Sequence, residues 1–178
     1  MRILGIDPGS GATGYGLIDT DGTRHSVVLF GAIRTQSRRP FHERLHKIHR
    51  DLIDILSHEK ADIMAVEDIF HAVNVQSALR LGHARGVALL AAAQFGLEVF
   101  EYSPLEIKSA VVGYGRAEKG QIQAMVRMLL GLAEIPSPDH AADALAVAIC
   151  HAHRLKQVAP PTRRRNEKGK TMRWRQVC

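Results

Sequence analysis

Acidic side chains end two apolar segments of this sequence and open a third. Asp7 closes the run LGID, and Glu67 closes the run AVE. In the stretch PDHAADALA, Asp143 follows His140 by three residues and Asp139 by four, and both spacings share one face of a helix. Clustered carboxylates repel one another, and divalent cations relieve that repulsion. An oxygen-rich set with one imidazole suits Mg²⁺ or Mn²⁺.

A metal site of this kind suits the hydrolysis of phosphodiester bonds. Two ions roughly 3.5–4 Å apart activate a water molecule and stabilise the leaving oxygen. Each acid also has a purely structural interpretation: Asp7 caps a turn, Glu67 is an exposed strand end, and Asp139 caps a helix after a proline. The residues alone therefore leave two interpretations open. One is a metal-dependent nuclease or nucleotidyl-type enzyme, and the other is a set of unrelated structural acids.

The residues after Asp7 spell GxGxxG, from Gly9 to Gly14. This pattern is the dinucleotide-binding fingerprint only where a strand precedes it and a helix follows it. Here the following residues YGLID alternate as a strand does, Asp21-Gly22 is a hairpin turn signal, and SVVLFGAI predicts a third strand. We therefore predict that the glycines form a tight turn between antiparallel strands, and that no dinucleotide binds there.

The whole chain predicts an α/β protein with the element order β-β-β-α-β-α-β-α-α-α and a mixed sheet that carries helices on its faces. Apolar residues recur at helical spacing in FHERLHKIHRDLIDILSHEK, while DIMAVED and LEVFEY are typical of strands. Residues 74–95 form a long predicted helix rich in alanine and glycine. Such small residues let another element approach closely, so this helix belongs to the core or to an interface.

Length and composition indicate one domain in a reducing compartment. The 178 residues suffice for a sizeable core. No apolar run is long enough to span a bilayer, and Asp7 and Pro8 interrupt any signal-peptide core. The two cysteines, Cys150 and Cys178, provide neither a disulfide framework nor a zinc ligand set. We therefore expect a cytoplasmic location.

The net charge of +6 is concentrated at the C-terminus. Residues 1–158 carry 17 basic and 17 acidic side chains, whereas residues 159–178 carry seven basic side chains and one acid. The second segment starts with Pro160-Pro161 and has no apolar period, so we predict a disordered tail that suits phosphates. A tail that only improves solubility is the alternative. The predicted organisation is thus a nuclease domain over residues 1–158 and a basic tail over residues 159–178.

Five ordered blocks of the sequence resemble the RuvC family of Holliday junction resolvases. The blocks are ILGIDPGS-x-x-TGYG, AVEDIF, SALRLGHARGVALLAA, VVGYGRAEKGQ and DHAADALAVAI, and the resemblance covers residues 2–153. It implies an RNase H-like fold, with a mixed five-stranded sheet flanked by helices, and a homodimer whose interface includes the long helix rich in small residues. The implied activity is metal-dependent, paired and symmetric nicking of four-way DNA junctions in recombination and repair. A branch-migration complex of RuvA and RuvB is implied as partner.

The resemblance also assigns site residues. It implies that Asp7, Glu67, His140 and Asp143 are the metal ligands for Mg²⁺ or Mn²⁺, with two ions per site. His140 departs from the all-carboxylate version of the family, although other members resemble this chain in having histidine there. The block DHAAD aligns with the family's D-A-A-D so that His140, and not Asp139, takes the first position. One negative charge fewer weakens Mg²⁺ binding and favours Mn²⁺.

Further residues match family positions near DNA. Lys119 matches a lysine near the scissile phosphate, where it neutralises charge in the transition state, and Lys108 matches another lysine near DNA. Phe70 matches an aromatic residue near the junction centre, where it would stack on an unpaired base for roughly 1–3 kcal/mol. Arg80 and Arg85 are candidates both for DNA backbone contacts and for salt bridges in the dimer, and the sequence leaves this choice open.

Three other functions remain alternatives at this stage. A non-catalytic module that binds four-way junctions would have a broken ligand set, yet all four positions hold competent ligands. An RNase H-like nuclease that acts on RNA shares the fold, but the match of all five blocks argues against it. Sugar kinases and actin-like ATPases also place an aspartate after the first strand, but they need two such domains, and 178 residues cannot hold them.

Overall fold

A computed structural model describes residues 1–68 and 74–158 of the chain, with side chains as far as Leu155. Phe70 and the predicted tail over residues 159–178 lie outside these residues. In chain order the elements are β1 (Arg2–Asp7), β2 (Ala12–Thr20), β3 (His25–Arg34), α1 (Phe41–His58), β4 (Ile63–Glu67), α2 (Val75–Gln94), β5 (Glu98–Tyr102), α3 (Pro104–Val112), α4 (Lys119–Leu129) and α5 (Asp139–Val158). The predicted element order is therefore confirmed.

The five strands form one mixed sheet in the order β3-β2-β1-β4-β5. The first three strands are an antiparallel meander, whereas β4 runs parallel to β1 and β5 runs parallel to β4. This is the mixed five-stranded sheet that the resemblance implies. Because β1 and β4 are parallel neighbours, their carboxyl ends meet at the same end of the sheet.

Helices cover both faces of the sheet. Successive side chains of β1 point to opposite faces, so neighbouring residues pack against different helices. Ile3 packs into a core formed with α3, α4 and α5, while its neighbour Leu4 packs into a core formed with α1 and α2. Both side chains are fully buried. Within the described ranges, each helix is too short or too polar to span a bilayer.

Glycines in the sheet let α5 approach it closely. A Cβ added at Gly14 would lie 1.9 Å from the carbonyl oxygen of His140, and a Cβ added at Gly5 would lie 2.1 Å from that of Ala144. Gly14 lies inside β2 and pairs with Asp7, so the predicted turn over residues 9–14 is too long: β2 already begins at Ala12. The absence of a side chain at Gly14 serves helix packing, and not the turn.

Candidate active site

Three elements bring the sequence-predicted acids together at one end of the sheet. Asp7 is the last residue of β1 and Glu67 is the last residue of β4, and Ile6 pairs with Val66 immediately before them. His140 and Asp143 lie in the first turns of α5, over these two strand ends. The helix can approach there because Gly14 has no side chain.

Asp7, His140 and Asp143 form a compact cluster of possible metal ligands. One ligand atom from each of the three lies within 4.8 Å of the others. His140 Nδ1 lies 2.7 Å from Asp7 Oδ2, which is a hydrogen bond. Glu67 adjoins this cluster: its carboxyl group shares a hydrogen bond with Asp7 and lines a pocket of about 220 Å³ that also touches Asp143. The structure thus brings Asp7, His140 and Asp143 together with Glu67 beside them, and their role as metal ligands stays a prediction.

The carboxyl groups of this cluster repel one another. Burial, together with the charges of Asp7 and Asp143 and a hydrogen bond with Asp7, raises the pKa of Glu67 to about 8. Burial is also the main reason why the pKa of Asp143 is raised, with a contribution from the charge of Asp7. Without a cation, one proton is therefore held among these carboxyl groups near neutral pH.

His140 partly compensates this negative charge. The hydrogen bond to Asp7 raises the pKa of the imidazole, and the charges of Asp7 and Asp143 add to the effect. The donor set of partly buried carboxylates and one imidazole fits a divalent cation, which relieves the repulsion that otherwise keeps Glu67 protonated. The structure therefore contains a site whose chemistry suits a metal ion.

Two lysines stand beside the cluster. Lys119 Nζ lies 3.1 Å from Asp139 Oδ2 and 3.2 Å from Asp143 Oδ2. Partial burial lowers the pKa of Lys119, but the hydrogen bonds and charges of these two carboxylates outweigh it and leave the pKa raised. Lys108 lines the same pocket, and its charge lowers the pKa of Glu67 against the other effects. Both lysines thus lie beside the carboxylate cluster, and their position relative to DNA stays a prediction.

Asp139 does not belong to the compact cluster of Asp7, His140 and Asp143. Its carboxylate bonds Lys119 and accepts a hydrogen bond of 3.2 Å from Gln123 Nε2. The hydrogen bond from Lys119 is the main reason why its pKa is lowered. This placement agrees with the choice of His140 over Asp139 as the ligand on α5.

The two arginines that the sequence left undecided differ in their surroundings. Arg80 is exposed on α2 and, among the described residues, makes no ion pair. Arg85 is partly buried and forms ion pairs within the chain, at 3.3 Å to Asp68 and with Glu101. Arg85 thereby ties α2 to the end of β4 and to β5, a role that the sequence pattern does not reveal.

Sequence reasoning also missed residues that hold the turn after Asp7. Thr13 is fully buried, and its hydroxyl donates a hydrogen bond of 2.8 Å to the carbonyl oxygen of Gly9. Thr35 and Arg44 each donate a hydrogen bond of 2.6 Å to the carbonyl oxygen of Ser10. No spacing rule links residues 10, 35 and 44, so only the fold reveals this contact.

Comparisons with known proteins agree with this geometry. A family model described as crossover junction endodeoxyribonuclease RuvC matches residues 3–151. A protein of that name from Alkaliphilus oremlandii is 54% identical over 153 residues, which is 86% of this chain and 93% of the relative. Another from Heliobacterium modesticaldum is 56% identical over 155 residues, or 87% of this chain and 96% of the relative.

Solved structures agree as well. Thermus thermophilus RuvC in complex with a Holliday junction substrate matches with a TM-score of 0.84 and 35% identity, over 88% of this chain and 96% of that one. The yeast mitochondrial Holliday junction resolvase Ydc2 matches with a TM-score of 0.61 at 12% identity, over 87% of this chain and 82% of that one, which shows a shared fold alone.

The sheet, its flanking helices and the carboxylate cluster at the strand ends define an RNase H-like protein with a candidate metal centre. With the family model matched across residues 3–151 and relatives more than 50% identical, the chain belongs to the RuvC family of crossover junction endodeoxyribonucleases.

Proposed function

We propose that this protein resolves four-way DNA junctions by paired, symmetric nicking of two strands. The observation that carries the proposal is the convergence of Asp7, His140 and Asp143 beside Glu67, in a chain that belongs to a family of endodeoxyribonucleases. The similar Thermus thermophilus structure, which is described as a complex with a Holliday junction substrate, supports the choice of the junction as substrate. Recombination and DNA repair are the processes that need such an activity.

The four clustered side chains are the proposed metal ligands. When bound, two Mg²⁺ or Mn²⁺ ions supply the Lewis acidity that phosphodiester hydrolysis needs. Asp7 lies in the middle of the set, because it contacts both His140 and Glu67. Loss of its carboxylate charge therefore removes a ligand and the partner that orients the imidazole. The single imidazole in the set favours Mn²⁺ relative to an all-carboxylate site.

Lys119 and Lys108 are the proposed cationic groups near the scissile phosphate. Lys119 Nζ is already 3.2 Å from the proposed ligand Asp143, so a phosphate held at the metal site lies within reach of its ammonium group. A positive charge at that position stabilises the negative charge that develops in the transition state. Lys108 lines the pocket on the side of Glu67 and extends the same positive surface.

A homodimer is proposed because two symmetric nicks need two active sites. The exposed face of α2 supports it: Val75 is 77% exposed, Leu79 is 58% exposed and Leu90 is 54% exposed. These residues line an apolar groove of about 660 Å³ together with Gly82 and Gly86, where added Cβ atoms would meet nothing. Apolar side chains around glycines on one helix suit close packing against the same helix of a second copy.

Four elements of the proposal rest on the resemblance and the composition alone. Phe70 is proposed to stack on an unpaired base at the junction, and the basic tail over residues 159–178 is proposed to contact DNA phosphates. The RuvA–RuvB complex is the proposed branch-migration partner, and the cytoplasm is the proposed location.

The substrate is tested with labelled synthetic DNA. Purified protein is incubated with a four-way junction, a matched linear duplex and a matched RNA–DNA hybrid, each with Mg²⁺, Mn²⁺ or EDTA. The proposal predicts paired nicks at symmetric positions in the junction only, none in EDTA, and faster cleavage with Mn²⁺. Binding without cleavage under every metal would favour a junction-binding module, and cleavage of the hybrid would favour an RNA substrate.

A further inference from the structure

A basic groove lies beside the turn that follows Asp7. It has a volume of about 320 Å³ and is lined by the last residue of β3, the β3–α1 loop and α1. Its cationic lining residues are Arg34, Arg39, Arg44, Lys47 and Arg50. The segment of residues 34–50 carries six basic and one acidic side chain, in a domain whose residues 1–158 are neutral overall. This segment therefore has a local excess of positive charge within a neutral domain.

The groove keeps positive charge after its internal ion pairs are formed. Arg39 pairs with Glu43, and Lys47 and Arg50 share the carboxylate of Asp51. Among the described residues, Arg34 and Arg44 have no ion pair. Opposite charges at i,i+4 spacing on a helix pair with each other, and only part of the groove cations have such a partner.

Arg44 connects the groove to the candidate active site. Its guanidinium donates hydrogen bonds to the carbonyl oxygen of Ser10 at 2.6 Å and to the hydroxyl of Thr35 at 3.1 Å. Ser10 follows Asp7 by three residues, which at full extension spans about 11 Å. The groove therefore begins within a few nucleotides of the proposed cleavage position along a DNA strand.

The distribution of charges fits a repeating polyanion. Arg44 and Arg50 are about 9 Å apart along the axis of α1. Arg34 at the end of β3 and Arg39 on the following loop line the same groove. A single phosphate group needs donors that converge on one point, whereas a nucleic-acid strand offers one charge every 3.4 Å of helix axis. The tail of this chain is itself basic, so charge repulsion excludes it as the occupant.

We propose that this groove binds the phosphate backbone of the duplex arm that leaves the active site over the turn at Ser10. The proposal rests on the proposed function, because it assumes a DNA substrate at the carboxylate cluster. It gives the chain a second, non-catalytic contact with the substrate, on the side of the sheet that carries α1. This contact fixes the direction of the arm relative to the cleavage site without reading its sequence.

The test compares the salt dependence of DNA binding for two matched double variants of the full chain. Arg34→Gln/Arg50→Gln removes two exposed groove cations. Arg24→Gln/Lys60→Gln removes two exposed cations at the opposite end of the sheet, where Arg24 is 90% exposed, and serves as control. Dissociation constants are measured in EDTA between 50 and 200 mM salt, on a four-way junction and on a linear duplex. A thermal melt confirms that each variant is folded.

The groove variant is expected to reduce the slope of log affinity against log salt by about 1.8, since each lost phosphate contact removes about 0.9. The control is expected to keep the slope of the unaltered protein, and Arg34→Lys/Arg50→Lys is expected to restore it, because lysine contacts phosphate as a point charge. Equal salt slopes for the groove and control variants would overturn the proposal that the groove binds DNA. Junction cleavage by the unaltered protein would still support the proposed function in that case. If the unaltered protein binds neither the four-way junction nor the linear duplex, both proposals are overturned.

Discussion

Gly14→Ala tests whether the packing of α5 on β2 sets the geometry of the active site. An alanine Cβ at this position would lie 1.9 Å from the carbonyl oxygen of His140, and real Cβ contacts are rarely shorter than 3.0 Å. The first turn of α5 must therefore move away by about 1.1 Å. This turn carries His140 and Asp143, so both proposed ligands move away from Asp7.

Overpacking of this kind costs about 1–3 kcal/mol of folding free energy, which lowers Tm by about 3–10 °C in a chain of this size. A displacement of 1 Å at a catalytic centre costs on the order of 10²-fold in rate. Cleavage of a four-way junction is therefore expected to slow about a hundredfold at a temperature where the variant is still folded.

Gly11→Ala is the matched control, because a Cβ there would meet nothing within 4 Å. It is expected to keep the Tm of the unaltered protein. A Gly14→Ala variant that cleaves as fast as the unaltered protein would refute the argument that the contact of α5 with β2 positions the ligands.

Three further predictions concern other residues of the domain. His151 is 2% exposed, and burial lowers its pKa to about 4. As the pH falls, this side chain is therefore protonated in the unfolded chain before it is protonated in the folded chain. The free energy of unfolding is expected to fall by about 2 kcal/mol from pH 7 to pH 5 for this reason. Urea unfolding of His151→Gln should show a pH dependence smaller by that amount, and an unchanged dependence would rule His151 out as its source. Asp139→Asn should keep the Mn²⁺ affinity measured by calorimetry, whereas Asp143→Asn should lose it; equal losses would make Asp139 a ligand. Arg85→Gln should lower the free energy of unfolding by about 1–2 kcal/mol, because its ion pairs are lost, and should leave the salt slope of junction binding unchanged. An unchanged free energy of unfolding with a smaller salt slope would instead indicate that Arg85 contacts DNA.

Sequence patterns predicted the site residues whose position follows from a single strand or helix. Asp7 and Glu67 end apolar strands, so their placement follows once the strands are parallel neighbours. His140 and Asp143 lie three residues apart, which fixes their common helix face before any tertiary contact is known. The element order was predictable for the same reason, because each element carries its own periodicity.

Contacts between distant segments could not be predicted in this way. Gly14 belongs to a GxGxxG pattern that suggests a turn. Only the position of α5 shows that the missing side chain at Gly14 allows a helix to pack closely there. The ion pairs of Arg85 join α2 to residues at the ends of β4 and β5. The hydrogen bond from Arg44 to Ser10 likewise joins α1 to the β1–β2 turn across 34 residues. Such contacts depend on how helices pack against the sheet, which a single sequence does not encode in any short pattern.

Asp7 is proposed to hold the metal centre of a junction-cleaving nuclease. Asp7→Asn, measured against the unaltered protein on the same labelled four-way junction with Mn²⁺, tests this role most directly. Junction affinity is expected to stay within a few-fold and both nicks are expected to disappear, because the amide keeps the shape of the carboxylate but not its charge. Retained cleavage by Asp7→Asn would show that the reaction takes place without this carboxylate and would refute its proposed role.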